Sequence, residues 1–308
     1  MIRHFLRDDD VTPEEQTRIL DLADALKADR FSRRPFAGPQ TVAVIFDKTS
    51  TRTRVSFATG VSDLGGTPLI IDAGVSQLGG KESIPDTARV LERMVAAVVW
   101  RTFAQSGLEQ MAQGTRIPVI NALSDDFHPC QVLADLQTIR EHVGALSGVT
   151  LAYVGDAANN MAHSYLLGGA TAGMHVRVAG PAGYQPREDI VADAQARASL
   201  TGGSITVGTD PREAVSGADV VITDTWVSMG QESEKEERVR TFVDYQVNDD
   251  LFALASPEAL FMHCLPAYRG YEVSESVIDG PRSVVWDEAE NRLHAQKALM
   301  TFLMEEAK

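Results

Sequence analysis

An alternation of short apolar runs with helical stretches, repeated twice, constrains this chain more than any other feature. The first series is TVAVIF from Thr41, TPLIID from Thr67, AAVVW from Ala96 and PVINA from Pro118. The second is VTLAYVG from Val149, MHVRVAG from Met174, SITVG from Ser204, DVVITDTW from Asp219 and ALFMHCLP from Ala259. Short, nearly continuous apolar runs read as strands buried on both faces, and helices between them make the sheet parallel. The expectation is an α/β chain of two doubly wound parallel-sheet domains with an active site in the cleft between them. At 308 residues the chain has the length for two domains of about 150 each.

Helix signals support this reading. Thr12, Pro13 and Glu15 place a capping hydroxyl, a proline at the first helical position and an acidic side chain at the third, ahead of Ile19, Leu22, Ala23 and Leu26 at helical spacing. Glu188 to Leu200 is a helical pattern of the second series, and Pro129 to Val143 bridges the two series. A hinge is expected near Gly144 to Gly148. The expected organisation is residues 1–143, then 144–288, with 289–308 as a C-terminal helix that carries Leu293, Lys297, Leu299, Phe302 and Leu303 and packs back on the first domain.

Composition enters by exclusion. A formal charge of -15 and a pI near 4.9 leave no basic face for nucleic acid, so small-molecule partners are expected. Met1 to Asp10 is charged almost from its start, and the longest apolar run, Met94 to Trp100, is too short to span a bilayer. A cytoplasmic location and no membrane partner follow as expectations. Two cysteines, Cys130 and Cys264, are too few for a disulfide framework.

In open parallel sheets, ligands bind beyond the carboxyl ends of the strands, where helix N-termini favour anions. The stretch STRTR, Ser50 to Arg54, follows the first strand at such a position. Ser50, Thr51, Arg52 and Thr53 would surround a phosphate with charge-assisted donors. Arg52 and Arg54, two apart, cannot both face one anion, so Arg52 is assigned to the ligand and Arg54 to a supporting ion pair. Taken alone, the run reads equally as a capped helix with solvated arginines. Arg101 ends the third strand, and His128 and Gln131 in SDDFHPCQ flank the start of the bridging helix after the fourth. Three strand ends carrying Arg52, Arg101 and His128 favour one ligand.

VGDAANN from Val154 lacks the G-x-G-x-x-G of a dinucleotide turn. Its Asn159 and Asn160 suit a helix cap or an amino-acid ligand. Asp224 reads as a partner for an ammonium or as a loop carboxylate. Gln231 to Arg240 reads as a charged lid. HCLPAYR has one residue too few between Cys264 and Arg269 for a phosphatase loop. Cys264 then stands at a strand end, either facing the cleft or inert, and Cys130 inside a helix reads as inert.

Together STRTR, the Arg101 strand end, HPCQ, DTWVSMG and HCLP resemble the aspartate and ornithine carbamoyltransferase family, in its order and over essentially the whole chain. The last two motifs look like those of its ornithine-using members. The resemblance implies transfer of a carbamoyl group from carbamoyl phosphate to the side-chain amine of L-ornithine, giving citrulline and phosphate, in arginine and amino-acid biosynthesis. It implies that carbamoyl phosphate is held by Ser50, Thr51, Arg52, Thr53, Arg101, His128 and Gln131, with Cys264, Leu265 and Arg292 beside the carbamoyl group. Arg52, Arg101, His128 and Cys264 would be catalytic. Asn160, Asp224, Ser228 and Met229 match the ornithine positions. Gln77 matches a residue lent to a neighbouring subunit, which makes a homotrimer with shared active sites the expected assembly. The acidic stretch after Gly230 looks like the family's lid. Neither a metal nor an organic cofactor is expected, since the histidines do not cluster at ligand spacing along the chain. Putrescine or N-acetylornithine is the alternative acceptor.

Overall fold

A computed structural model describes residues 3–72, 82–227 and 232–306. The chain divides into two compact units: Met1–Gln137 with Glu290–Lys308, and Thr138–Ala289.

The first unit is built on strands β1 (Thr41–Phe46), β2 (Thr67–Asp72), β3 (Ala97–Arg101) and β4 (Val119–Leu123). Helices α1 (Pro13–Ala28), α2 (Thr51–Asp63), α3 (Ile84–Leu91) and α4 (Gln105–Gly114) accompany them, and α5 (Pro129–Val143) follows β4. The strands are all parallel, in the order β2-β1-β3-β4. The chain therefore leaves β1 to one side for β2 and to the other for β3. At that switch point the loops after β1 and β3 diverge and leave room for a ligand. The β3–β4 register shifts between Trp100 and Arg101, so the shift falls at the candidate arginine.

The second unit has β5 (Thr150–Val154), β6 (His175–Ala179), β7 (Ser204–Gly208), β8 (Val220–Ile222) and β9 (Leu260–Met262). Its helices are α6 (Asn160–Thr171), α7 (Glu188–Thr201), α8 (Pro211–Val215), α9 (Lys235–Phe242), α10 (Asp249–Phe252) and α11 (Glu275–Ile278). The order is β7-β6-β5-β8-β9, again parallel, with its switch point between β5 and β8. The final helix, α12, spans Val285–Glu306.

The two sheets and the interleaved helices are those the apolar runs predict. The reading of every run as a strand buried on both faces needs correction for β2 and β7. Both lie at sheet edges and have only exposed and half-buried residues, whereas every residue of the inner strand β3 is buried, as is every residue of β4, an edge strand covered by Phe5 pairing at Ile120. The Thr12 cap forms as read: its hydroxyl accepts from Glu15 N and its amide donates to the Glu15 carboxylate at 2.9 Å. Helix α12 packs on the first unit's helices. Its Asn291 accepts from Lys27 of α1 at 2.8 Å, and a Cβ at Gly60 of α2 would sit 3.2 Å from the Lys297 side chain. A side chain at Gly60 would therefore crowd α12, whose Lys297 side chain would have to give way by a few tenths of an ångström. Among the described residues, no helix is long and apolar enough to cross a membrane.

Candidate active site

The first unit gathers its polar side chains at the β1/β3 switch point. Ser50 caps α2: its hydroxyl accepts from Thr53 N at 3.2 Å and donates to Thr53 Oγ1 at 3.0 Å. Thr53 Oγ1 also accepts from Arg292 Nη2 at 2.9 Å, although Arg292 lies on α12. A guanidinium is thereby fixed at the amino end of α2, whose first turn contains no acidic residue. That end of the helix already favours an anion through its dipole and unpaired N–H groups. Arg54 pairs with Asp72 at the end of β2, as the two-residue spacing requires, while Arg52 lies on another face of the helix.

Arg101 is buried at the end of β3. Its backbone is pinned from both sides. Asp47 N donates to Arg101 O at 2.8 Å, and the Asp47 carboxylate accepts from Trp100 Nε1 at 2.9 Å and Thr102 Oγ1 at 2.7 Å. His128, just ahead of α5, is 5% exposed. Burial holds its imidazole well below the ordinary pKa, and the charges of Arg292, Arg101 and Arg52 lower it further. The ring is therefore neutral at physiological pH, a hydrogen-bond donor among three cations rather than a fourth cation. Gln131 donates from Nε2 to Asp135 at 2.8 Å, which orients the amide and turns its carbonyl oxygen, an acceptor, away from that carboxylate. Cys130 is inert as expected: it is fully buried, donates to Asn121 O at 3.3 Å, and its thiol is pushed up by burial.

In the second unit the loops after β5 and β8 meet at the other switch point. Gly155 has φ +133°, and a Cβ there would come within 3.3 Å of Thr223 Oγ1, which donates to Val154 O at 2.7 Å. Glycine permits this close approach. Asn159 caps α6, accepting from Ala162 N at 2.9 Å, and its amide nitrogen donates to Tyr153 OH at 2.9 Å and to Asp224 Oδ2 at 3.3 Å. Asn160 is the first residue of α6. Asp224 is 8% exposed, and the Cys264 thiol donates to its Oδ1 at 3.3 Å. Burial pushes the Asp224 carboxyl up, offset in part by His263, the Thr225 amide and Cys264. A desolvated carboxylate is poised for a cation, because an ammonium partner would recover the charge stabilisation lost on leaving water.

Leu265, next to Cys264, has φ +59°. For a residue with a bulky side chain this left-handed conformation costs about 1 kcal/mol and persists only where the surroundings enforce it.

Asp224, His263 and Cys264 bring one ligand-type atom each within 4.8 Å of one another, a grouping invisible in linear spacing. His263 already uses both ring nitrogens, Nδ1 accepting from Leu265 N at 2.9 Å and Nε2 bonded to Glu272 at 3.3 Å. Hydrogen bonds thus account for the cluster; a thiophilic cation would have to displace them.

Linear reading also misses Asp156 and Arg238. Asp156 stands where a dinucleotide turn would have glycine, and Arg238 lies in the stretch read as a lid. Both are 3% exposed and pair with each other, and Arg238 also donates to Trp226 O. From Glu232 the stretch is a short 3-10 turn followed by α9, anchored by this arginine rather than a solvated loop. Gln77, Ser228 and Met229 lie outside the described residues, as does Gln231.

Comparisons with known proteins agree along the whole chain. The aspartate/ornithine carbamoyltransferase carbamoyl-P binding domain matches residues 3–141, and the Asp/Orn binding domain of the same family matches residues 147–303. A protein of Leifsonia xyli subsp. xyli described as an ornithine carbamoyltransferase is 69% identical over 99% of this chain and 97% of its own length. One from Bifidobacterium longum subsp. infantis, of the same description, is 64% identical over 100% and 97%. Among solved structures, the ornithine carbamoyltransferase from Pyrococcus furiosus superposes with a TM-score of 0.94 at 48% identity, covering 98% of this chain and 97% of that one. An anabolic ornithine carbamoyltransferase from Campylobacter jejuni also gives 0.94, at 39% identity and coverage of 99% and 100%. The chain belongs to the aspartate/ornithine carbamoyltransferase family.

Proposed function

We propose that the chain transfers the carbamoyl group of carbamoyl phosphate to the side-chain amine of L-ornithine, giving L-citrulline and phosphate. The observation that carries this reading is the bond from Arg292 to Thr53 at the amino end of α2, which sets a buried guanidinium in the group of Arg52, Arg101 and Arg292 that acts on buried His128. A dianionic phosphate joined to a neutral acyl group calls for cations at one end and hydrogen-bond donors at the other. The ornithine-acting relatives favour ornithine as acceptor over aspartate, putrescine or N-acetylornithine.

In this reading Ser50, Thr51, Arg52 and Thr53 hold the phosphate at the N-terminus of α2, with Arg101. His128, Arg101 and Arg292 donate to the carbonyl oxygen and stabilise the oxyanion as the amine attacks; each such donor typically contributes about 3 to 4 kcal/mol to the transition state. The Gln131 oxygen accepts from the carbamoyl NH2. Cys264 and Leu265 flank the same group. Asn160 and Asp224, with Ser228 and Met229, hold ornithine.

The amine must lose a proton before it attacks, since its ordinary pKa resembles that of lysine, about 10.4. The ammonium first gives one proton to solvent; the neutral nitrogen then bonds to the carbonyl carbon, the bond from that carbon to the phosphate ester oxygen breaks, and the departing phosphate takes the second proton from the nitrogen. Asp224 orients the amine, and holding both substrates together supplies several further kcal/mol.

The proposal extends to the assembly and setting: a homotrimer in which Gln77 completes a neighbour's site, working in the cytoplasm in arginine biosynthesis. The anabolic description of the Campylobacter jejuni relative supports the biosynthetic direction.

The test is an acceptor panel with saturating carbamoyl phosphate. Ornithine should yield citrulline and phosphate in equal amounts, with aspartate, putrescine and N-acetylornithine giving little product. No citrulline from ornithine, or faster turnover of another amine, defeats the reading.

A further inference from the structure

We propose that the buried pair His263 and Glu272 is a positioning device for the acceptor half of the site, fixing the left-handed turn at Leu265 and so holding the Cys264 thiol on Asp224. The proposal deepens the reading of Asp224 and Cys264 as ornithine-side groups and rests on it.

Both side chains are fully buried. His263 is held at three points. Its backbone N–H donates to Glu288 Oε2 at 2.9 Å, its Nδ1 accepts from Leu265 N at 2.9 Å, and its Nε2 lies 3.3 Å from Glu272 Oε1. Because Nδ1 accepts, the proton sits on Nε2 and is donated to Glu272. Glu272 Oε1 also accepts from Tyr268 N, tying the chain on the far side of Leu265 to the same carboxylate oxygen. The carboxylate thus selects the tautomer that leaves Nδ1 able to accept from Leu265.

That bond matters because Leu265 is the one non-glycine residue with positive φ among those described. An extended residue there would swing the chain that follows, and with it the Tyr268 amide, away from the Glu272 carboxylate that holds His263. The Cys264 thiol that bonds Asp224 lies between His263 and this turn, so holding the two ends of the turn holds the thiol. Apolar residues would fill this core more simply; a buried carboxylate and imidazole that satisfy each other fix a geometry as apolar packing does not.

The test uses Glu272→Ala, His263→Phe and Glu272→Gln in the full-length chain. Steady-state kinetics are paired with iodoacetamide labelling read by intact mass. Buried Cys130 stays unlabelled, so the label reports Cys264. Glu272→Ala and His263→Phe should raise the KM for ornithine about tenfold, leave that for carbamoyl phosphate unchanged, and speed Cys264 labelling severalfold. Glu272→Gln, whose amide oxygen still accepts from Nε2, should recover most of the loss. Unchanged ornithine KM and labelling would overturn the proposal, as would equal loss for both substrates, the mark of general damage. If either severe variant fails to fold, the other and Glu272→Gln are judged by the same two readouts. Should the wild-type chain not carbamoylate ornithine, the proposed function falls while labelling still decides the positioning role.

Discussion

Arg292 donates from Nη2 to Thr53 Oγ1 at 2.9 Å across a separation of 239 residues in the chain. The bond ties the last helix to the first turn of α2, and it places a third guanidinium where Arg52 and Arg101 act on His128. Removing Arg292 should therefore affect chemistry more than folding. Arg292→Ala is expected to lower kcat about 100- to 1,000-fold, the usual loss for one oxyanion donor. Thr53→Val, which keeps the arginine and removes its anchor, should cost less. Steady-state kinetics on both variants, with circular dichroism to check the fold, decides the order.

Asp224 sets function against stability. Burial raises its carboxyl pKa, so the folded chain binds this proton more tightly than the unfolded one. Stability is then lost as pH rises from the ordinary carboxylate pKa, about 3.9, through the raised folded value. Asp224→Asn should melt higher than wild type at pH 7, with the gap closing as pH falls toward 4, while ornithine turnover collapses. Thermal melts across pH check the first part and the citrulline assay the second.

His128 carries the opposite sign. Its pKa is depressed in the folded chain, so below about 6.5 the unfolded chain gains a proton that the folded one refuses. Melting temperature should fall as pH drops through that window, and His128→Gln should flatten the fall. A bound phosphate dianion, by neutralising the neighbouring arginines, should do the same in the wild-type chain.

The pair Arg238 and Asp156 is structural at its base. Both are nearly inaccessible, and Arg238 also stacks near Tyr184 and Phe242. Arg238→Met leaves a buried carboxylate without its cation and should destabilise by about 3 to 5 kcal/mol. The double variant with Asp156→Asn should recover much of that. Urea denaturation of the two single variants and the double variant measures the coupling.

How far the sequence discloses this architecture depends on where the information lies. Strands such as TVAVIF and AAVVW declare themselves because burial on both faces demands unbroken apolar runs. The strand ends carrying Arg52, Arg101 and His128 are legible because a parallel sheet puts all its carboxyl ends on one edge. β2 and β7 are misread as doubly buried, since strand order and what covers an edge are set by distant chain, as Phe5 covers the outermost β4 at Ile120, and no local pattern encodes either. Arg238 looks like one more charge in a solvated stretch, because its partner Asp156 is 82 positions away. The His263–Glu272 bond spans nine residues, yet only the turn at Leu265 makes it. Gln131 could be placed by sequence but not oriented: its amide is turned by the bond it donates to Asp135.

The central claim is that Arg52, Arg101 and Arg292 act on one dianion. Calorimetric titration with carbamoylmethylphosphonate, a stable analogue in which a methylene replaces the ester oxygen, tests it without turnover. Each single alanine variant should weaken binding about 10- to 100-fold, with the wild-type affinity falling as salt rises. Wild-type affinity in any one of the three variants would contradict it.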